Sequence, residues 1–236
     1  MKICVLGASH MATIHAGWKL ACDEYPRISM TFFGRFGPSM NGLFEKNGKL
    51  YTDDEKLAAT FRFLTGGLDV IDPDEYDLFL LYGMEASTNF VEMDRYYSSQ
   101  VKQKALDDLI DGTMSHGLLK KLLSITDKPV YITHNPLIAA EEVVFDGELE
   151  CYLAGLDILR KEYSDAYGVT FVGQPSSTIV NGRNTHPMHS LGAPRLSRPG
   201  KENILYDDTD RFHMNPEFGR LWLKDFFDNQ VEANQR

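Results

Sequence analysis

The sequence predicts an α/β protein, a three-layer α/β/α sandwich built on a central, mainly five-stranded parallel sheet. Three observations carry that expectation. Five short apolar runs are spread along the 236 residues, stretches with helical apolar spacing lie between them, and each of the first three runs ends on a glycine. Near-continuous apolar strands that alternate with helices are covered on both faces, and they are joined by right-handed crossovers.

The elements follow in order. Ile3-Cys4-Val5-Leu6 is a strand closed by Gly7, after which Met11, Ile14, His15, Trp18, Ala21 and Cys22 recur at the period of a helix. Residues 28–33 form a second strand closed by Gly34, and residues 76–82 a third closed by Gly83. Residues 129–133 and 169–172 are the fourth and fifth, with helical patterns at 101–125 and 149–167 around them. Asn215 and Pro216 open the last helix as a cap and a first-turn proline, and its apolar stripe is Phe218, Leu221, Trp222 and Phe226. Residues 174–209 have no period. A loop of that length is expected to carry function or to be disordered, and the Asn181-Gly182 pair within it reads as a turn.

Composition narrows the partners. With 43% apolar residues and no linker-like stretch, residues 1–236 read as one domain. A net charge of -10 repels phosphate backbones and anionic lipid, so neither nucleic acid nor a membrane is an expected partner. The chain enters its first strand at Ile3 with no secretory apolar segment, which gives an expectation of a cytoplasmic location. Cys4, Cys22 and Cys151 are odd in number and widely spaced, and they read as reduced core residues. No cofactor is expected: the glycine pattern that cradles a nucleotide phosphate is missing. His186, His189, Asp207 and Asp208 have metal-ligand chemistry, but spacing within a loop fixes no geometry, so no metal site is expected either.

Two motifs at opposite ends of the chain carry the chemistry. Gly7-Ala8-Ser9-His10 follows the first strand, and Asp210-Arg211-Phe212-His213 precedes the last helix. Ser9 falls at the carboxyl edge of the sheet, where open α/β sheets bind ligands. It is either a helix cap or a nucleophile; a serine hydroxyl becomes a nucleophile when a histidine takes its proton and a carboxylate holds that histidine in the right tautomer. His10 beside it reads as a substrate-orienting group or as a solvated helix-start residue. His15 lies on the apolar stripe and reads as partly buried. Arg35, Arg183, Arg195 and Arg198 fall in segments expected near the same edge and suit a carboxylate or sulfate, or simply solvent.

Gly7-x-Ser9 together with Asp210-x-x-His213-x-Asn215-x-x-Phe218-Gly219 resembles the SGNH hydrolases, also called GDSL-type esterases. The resemblance implies a flavodoxin-like α/β/α fold and a triad in which Ser9 is the nucleophile, His213 the base and Asp210 its partner. It implies an oxyanion hole formed by the backbone N–H groups of Ser9 and a second-block glycine, Gly34 or, behind it, Gly37. The chain departs from the family in two places. Ala8 stands where the family commonly has aspartate, and the third block reads Gly83-Met84-Glu85-Ala86 in place of Gly-x-Asn-Asp. Glu85 therefore replaces an oxyanion-hole asparagine. An ionised carboxylate accepts but does not donate, so it opposes an oxyanion or binds a substrate hydroxyl. Asn89 and Asn135 are the candidates for the lost donor. The activity implied is serine-dependent ester hydrolysis or acyl transfer on a small-molecule or carbohydrate ester. The alternatives are an impaired relative that binds a glycan or acyl-sugar, and a flavin binder on the same fold.

Overall fold

In the computed structural model, which describes residues 1–84, 97–144 and 149–231, the order of strand and helix follows the apolar pattern. The main strands are β1 (Lys2–Gly7), β2 (Ser29–Gly34), β5 (Leu78–Tyr82), β6 (Val130–Thr133) and β7 (Thr170–Val172). All neighbours in this sheet pair in parallel, in the spatial order β2-β1-β5-β6-β7. Taken by sequence among the five, this is the 2-1-3-4-5 order of flavodoxin-like sheets. The chain builds outward from β1 to one side and then returns to build on the other. The carboxyl ends of β1 and β5 therefore border a crevice that no crossover fills.

The alternation of side chains decides which helices cover which face. Cys4 and Leu6 of β1, with Phe79 and Leu81 of β5, point into a core shared with α2 (Glu55–Thr65), α3 (Ser99–Asp111), α4 (Met114–Leu123) and α5 (Glu150–Tyr167). Ile3 and Val5, with Leu78, Leu80 and Tyr82, point the other way, against α1 (Met11–Ala21) and α6 (Pro216–Phe226). Phe218, Trp222, Leu223 and Phe226 of α6 are all buried, each contributing on the order of 2 kcal/mol.

Several details depart from the sequence expectations. The helical pattern of 101–125 is two helices, broken at Gly112 and restarted by Thr113, whose hydroxyl caps α4 by accepting from the His116 N–H. A hairpin of β3 (Leu43–Lys46) and β4 (Lys49–Thr52) is additional, turned at Asn47 and Gly48, both at positive φ. So is α2, capped by Asp54. Within the long loop, β8 (Ile179–Val180) and β9 (Asn184–Thr185) flank the Asn181-Gly182 turn. Of the cysteines, all free, Cys4 alone is a core residue; Cys22 is half-buried and Cys151 exposed. No helix among the described residues is long and apolar enough to cross a membrane.

Candidate active site

Two helices that cross with almost no side chain between them assemble the site. A Cβ on Gly17 would lie 2.3 Å from the Gly219 carbonyl carbon, and one on Gly219 would lie 2.1 Å from the Thr13 carbonyl oxygen. Only glycine permits that approach. The Thr13 hydroxyl also donates to the Met214 carbonyl at 2.6 Å. With α1 and α6 locked backbone to backbone, the turns that precede them, residues 8–10 and 210–213, meet above the carboxyl end of β1.

Both turns are shaped by local chemistry. Gly7 ends β1 where a Cβ would clash with Met11 Cβ at 2.7 Å and the Tyr82 carbonyl at 2.9 Å. The chain then turns into α1 without a side-chain cap, so the Ser9 hydroxyl is not spent on the helix. At the other turn, one Asp210 carboxylate oxygen accepts the N–H groups of Phe212 (2.9 Å) and His213 (2.8 Å), while Asn215 caps α6 through the Phe218 N–H. These bonds fix the His213 backbone before its ring makes any contact.

The three side chains then form one relay. Ser9 Oγ lies 3.0 Å from His213 Nε2, and His213 Nδ1 lies 3.1 Å from each carboxylate oxygen of Asp210. With its Nδ1–H donated to Asp210, the imidazole presents an unprotonated Nε2 to the serine hydroxyl, the tautomer a general base requires. The His213 and Asp210 side chains are 14% and 19% exposed, shielded enough for their interaction to count and open enough for a ligand to arrive. Burial pushes the Asp210 carboxyl upward, but the backbone and ring hydrogen bonds from His213 outweigh it and hold the group below its usual value. Burial lowers the His213 pKa, Asp210 opposes this, and Arg195 lowers it further; the net shift is downward.

Two rings hold the imidazole flat. Tyr206 stacks on it at 3.8 Å between centroids and 7° between planes, and His10 at 4.7 Å and 23°. One face has room for one ring, so the two occupy opposite faces. His10 is thus not a solvated helix-start residue; it is buried against the His213 ring. Burial and the neighbouring His213 push its own pKa down to about 3, so it is neutral, and its Nδ1 has no hydrogen-bond partner among the described residues. Gly83 explains how it fits: φ is +61°, and a Cβ there would lie 2.6 Å from the His10 Cβ. Gly83 therefore makes room for the ring that stacks on His213. Tyr206, whose hydroxyl lies close to the Ser9 side chain, escapes sequence reasoning. It sits in the aperiodic loop, where stacking leaves no pattern.

The other candidates divide. Gly34 pairs with Gly7 at the end of β2, where a Cβ would lie 2.4 Å from the Gly7 carbonyl oxygen. Packing alone demands a glycine there. Gly37 has a positive φ and open space about it. Glu85 and Asn89 lie outside the described residues. Asn135 follows β6, half-buried, two strands from β1. Arg35 is committed to Asp54 and Ser39. His15 is half-buried against the Phe32 ring. His186 accepts from the Met188 N–H, Asp207 closes its own turn through Thr209, and no three potential metal ligands converge among the described residues.

No family model and no curated protein matches the sequence. Among solved structures, the chain is similar to the periplasmic domain of a lipopolysaccharide acetyltransferase from Salmonella ser. Paratyphi A, at 9% identity and a TM-score of 0.44 over 98% of this chain and 83% of that one. A second similarity, to a water-forming NADH oxidase from Lactobacillus brevis, has 12% identity and a TM-score of 0.18 over 73% of this chain and 46% of that one. Both fall below the level at which overall likeness carries weight, and the functional reading rests on the site itself.

Proposed function

We propose that this protein is a serine-dependent ester hydrolase or acyl transferase of the SGNH type. One observation carries the reading: a serine hydroxyl, an imidazole and a carboxylate in series at 3.0 and 3.1 Å, at the switch point of a parallel sheet. Ser9 Oγ attacks the ester carbonyl as His213 Nε2 takes its proton. The oxyanion forms beside the backbone N–H groups of Ser9 and Gly34, and His213 returns the proton to the departing alkoxide. Water or a second hydroxyl, deprotonated by the same nitrogen, then releases the acyl group from Ser9. Asp210 keeps Nδ1 protonated and stabilises the imidazolium that forms within each step while Nε2 holds the proton. An acylated carbohydrate is the substrate class proposed, since residues 174–201 are rich in polar side chains and contain no Phe, Tyr or Trp.

The test is labelling with a fluorophosphonate followed by identification of the modified residue, run beside hydrolysis of acetylated sugars. Phosphonylation at Ser9 that requires His213 is the expected result. A protein that binds acyl-sugars yet neither reacts at Ser9 nor releases acetate would be a binding protein, and the esterase reading would fall.

A further inference from the structure

A cationic pocket adjoins this relay in a chain whose net charge is -10. Residues 193–206 fold as a narrow ribbon, held by hydrogen bonds from Tyr206 N to Ala193 O and from Arg195 N to Ile204 O, both 2.8 Å. The ribbon turns at Pro199 and Gly200, the latter at φ +70°. It borders, with Phe36, an open pocket of about 190 Å³ lined by Arg195, Leu196, Arg198, Lys201, Ile204 and Tyr206.

Three features set these cations apart from ordinary solvated ones. No acidic side chain among the described residues pairs with Arg195, Arg198 or Lys201, although Glu202 lies on the same ribbon. Arg198 and Lys201 are bridge partners across the turn, an arrangement that like charges oppose. Both guanidinium groups lie over rings, Arg195 4.8 Å from the Tyr206 centroid and Arg198 4.4 Å from that of Phe36. Stacking holds a guanidinium in place and leaves its edge N–H groups free to bind a carboxylate or sulfate in bidentate fashion.

Tyr206 is the shared wall: it lines the pocket and stacks on His213. We infer that the pocket is a substrate subsite for an anionic group, so that the ester acted on at Ser9 belongs to a sugar bearing a carboxylate, sulfate or phosphate. This inference rests on the esterase reading for its substrate, but the binding of the anion does not require turnover.

The test therefore uses the Ser9→Ala protein, which binds without reacting. Titration calorimetry at low salt compares glucose with glucuronate, glucose 6-sulfate and glucose 6-phosphate. At least one anionic sugar is expected to bind tenfold or more tightly than glucose, and to lose that advantage at high salt and in Arg195→Ala/Arg198→Ala. Lys201→Gln, at an exposed position, should reduce it severalfold, which covers the case in which the double variant is misfolded. The anion that binds best identifies the group. Equal affinity for all four sugars, or an anionic preference that survives all these substitutions, overturns the subsite. Failure of Ser9 labelling in the unsubstituted protein overturns the esterase reading instead, and the two outcomes are read separately.

Discussion

Two histidine-centred networks sit at the same edge of the sheet, and they are built for opposite ends. His213 faces a carboxylate on one nitrogen and a serine hydroxyl on the other. His134, which follows β6, faces the Asn135 carbonyl through Nδ1 and the Tyr152 hydroxyl through Nε2 at 2.9 Å. Tyr152 in turn accepts the Gln174 N–H, and the Gln174 side chain joins Leu137, Thr178 and Thr185. Every group in the second network is neutral and, apart from the half-buried Asn135, buried, and burial pushes the His134 pKa down to about 4. It has no carboxylate to stabilise an imidazolium. The comparison shows that a buried histidine with both nitrogens bonded is not thereby a base. What separates the two is the charge of the Nδ1 partner and the reactivity of the Nε2 partner. The assembly differs too: the His213 relay spans a helix crossing between distant parts of the chain, whereas the His134 network ties β6 to the segment after the neighbouring β7.

The largest expected effect breaks the relay alone. Ser9→Ala and His213→Ala should each lower kcat on an acetyl ester by about 10⁴-fold or more, and Asp210→Asn by a comparable factor. Ser9→Ala should shift the urea midpoint little, because Ser9 caps nothing. Tyr152→Phe should do the reverse, costing about 1–3 kcal/mol of stability by leaving the Gln174 N–H without its acceptor, with ester turnover retained. A large loss of turnover in Tyr152→Phe would mean that the two networks are coupled.

Next in size is the helix crossing. Gly219→Ala forces a Cβ to within 2.1 Å of the Thr13 carbonyl oxygen, and it should cost about 2–4 kcal/mol as α1 and α6 move apart. Fluorophosphonate reactivity should fall with it, while hydrogen exchange around His134 and Gln174 stays slow. Full reactivity in this variant would show that the crossing does not position the triad.

Acid stability sharpens the contrast. Between about pH 4 and its ordinary 6.5, His134 binds fewer protons folded than unfolded, so its contribution is fully present above 6.5 and is lost as pH falls through 4. The expected slope is about 1.4 kcal/mol per pH unit from this residue. Urea midpoints at pH 7.5, 6 and 5 should decline less steeply in His134→Gln.

The smallest effect concerns the rings around the base. Under the proposed mechanism His213 acts as the neutral base, and burial depresses its pKa, so kcat/KM should rise with pH along an acid limb lying below the ordinary histidine value. Tyr206→Ala uncovers one face of the ring, and Arg195→Ala removes a neighbouring positive charge. Each should move the limb to higher pH. An unmoved pH profile in both would separate the stack from the tuning of the base.

The sequence by itself determined the alternation of strand and helix, the caps at Asn215 and the chemistry of Ser9, Asp210 and His213, because each is written within a few neighbouring residues. Even the glycine of Phe218-Gly219 was visible, though not its reason, which is the Thr13 carbonyl pressed against it. The break at Gly112 was hidden because the apolar period continues through it, and the cap at Thr113 is a local signal that a longer pattern masks. Only the tertiary structure decided the rest. It brought His213 to Ser9 across 204 positions, turned His10 from a surface candidate into one face of a stack, and chose Tyr206 for the other. It also set Arg195, Arg198 and Lys201 around one pocket. Ring stacking and charge clustering have no period along a chain; they depend on which loop lies over which strand end, and that is fixed by packing between segments far apart in sequence.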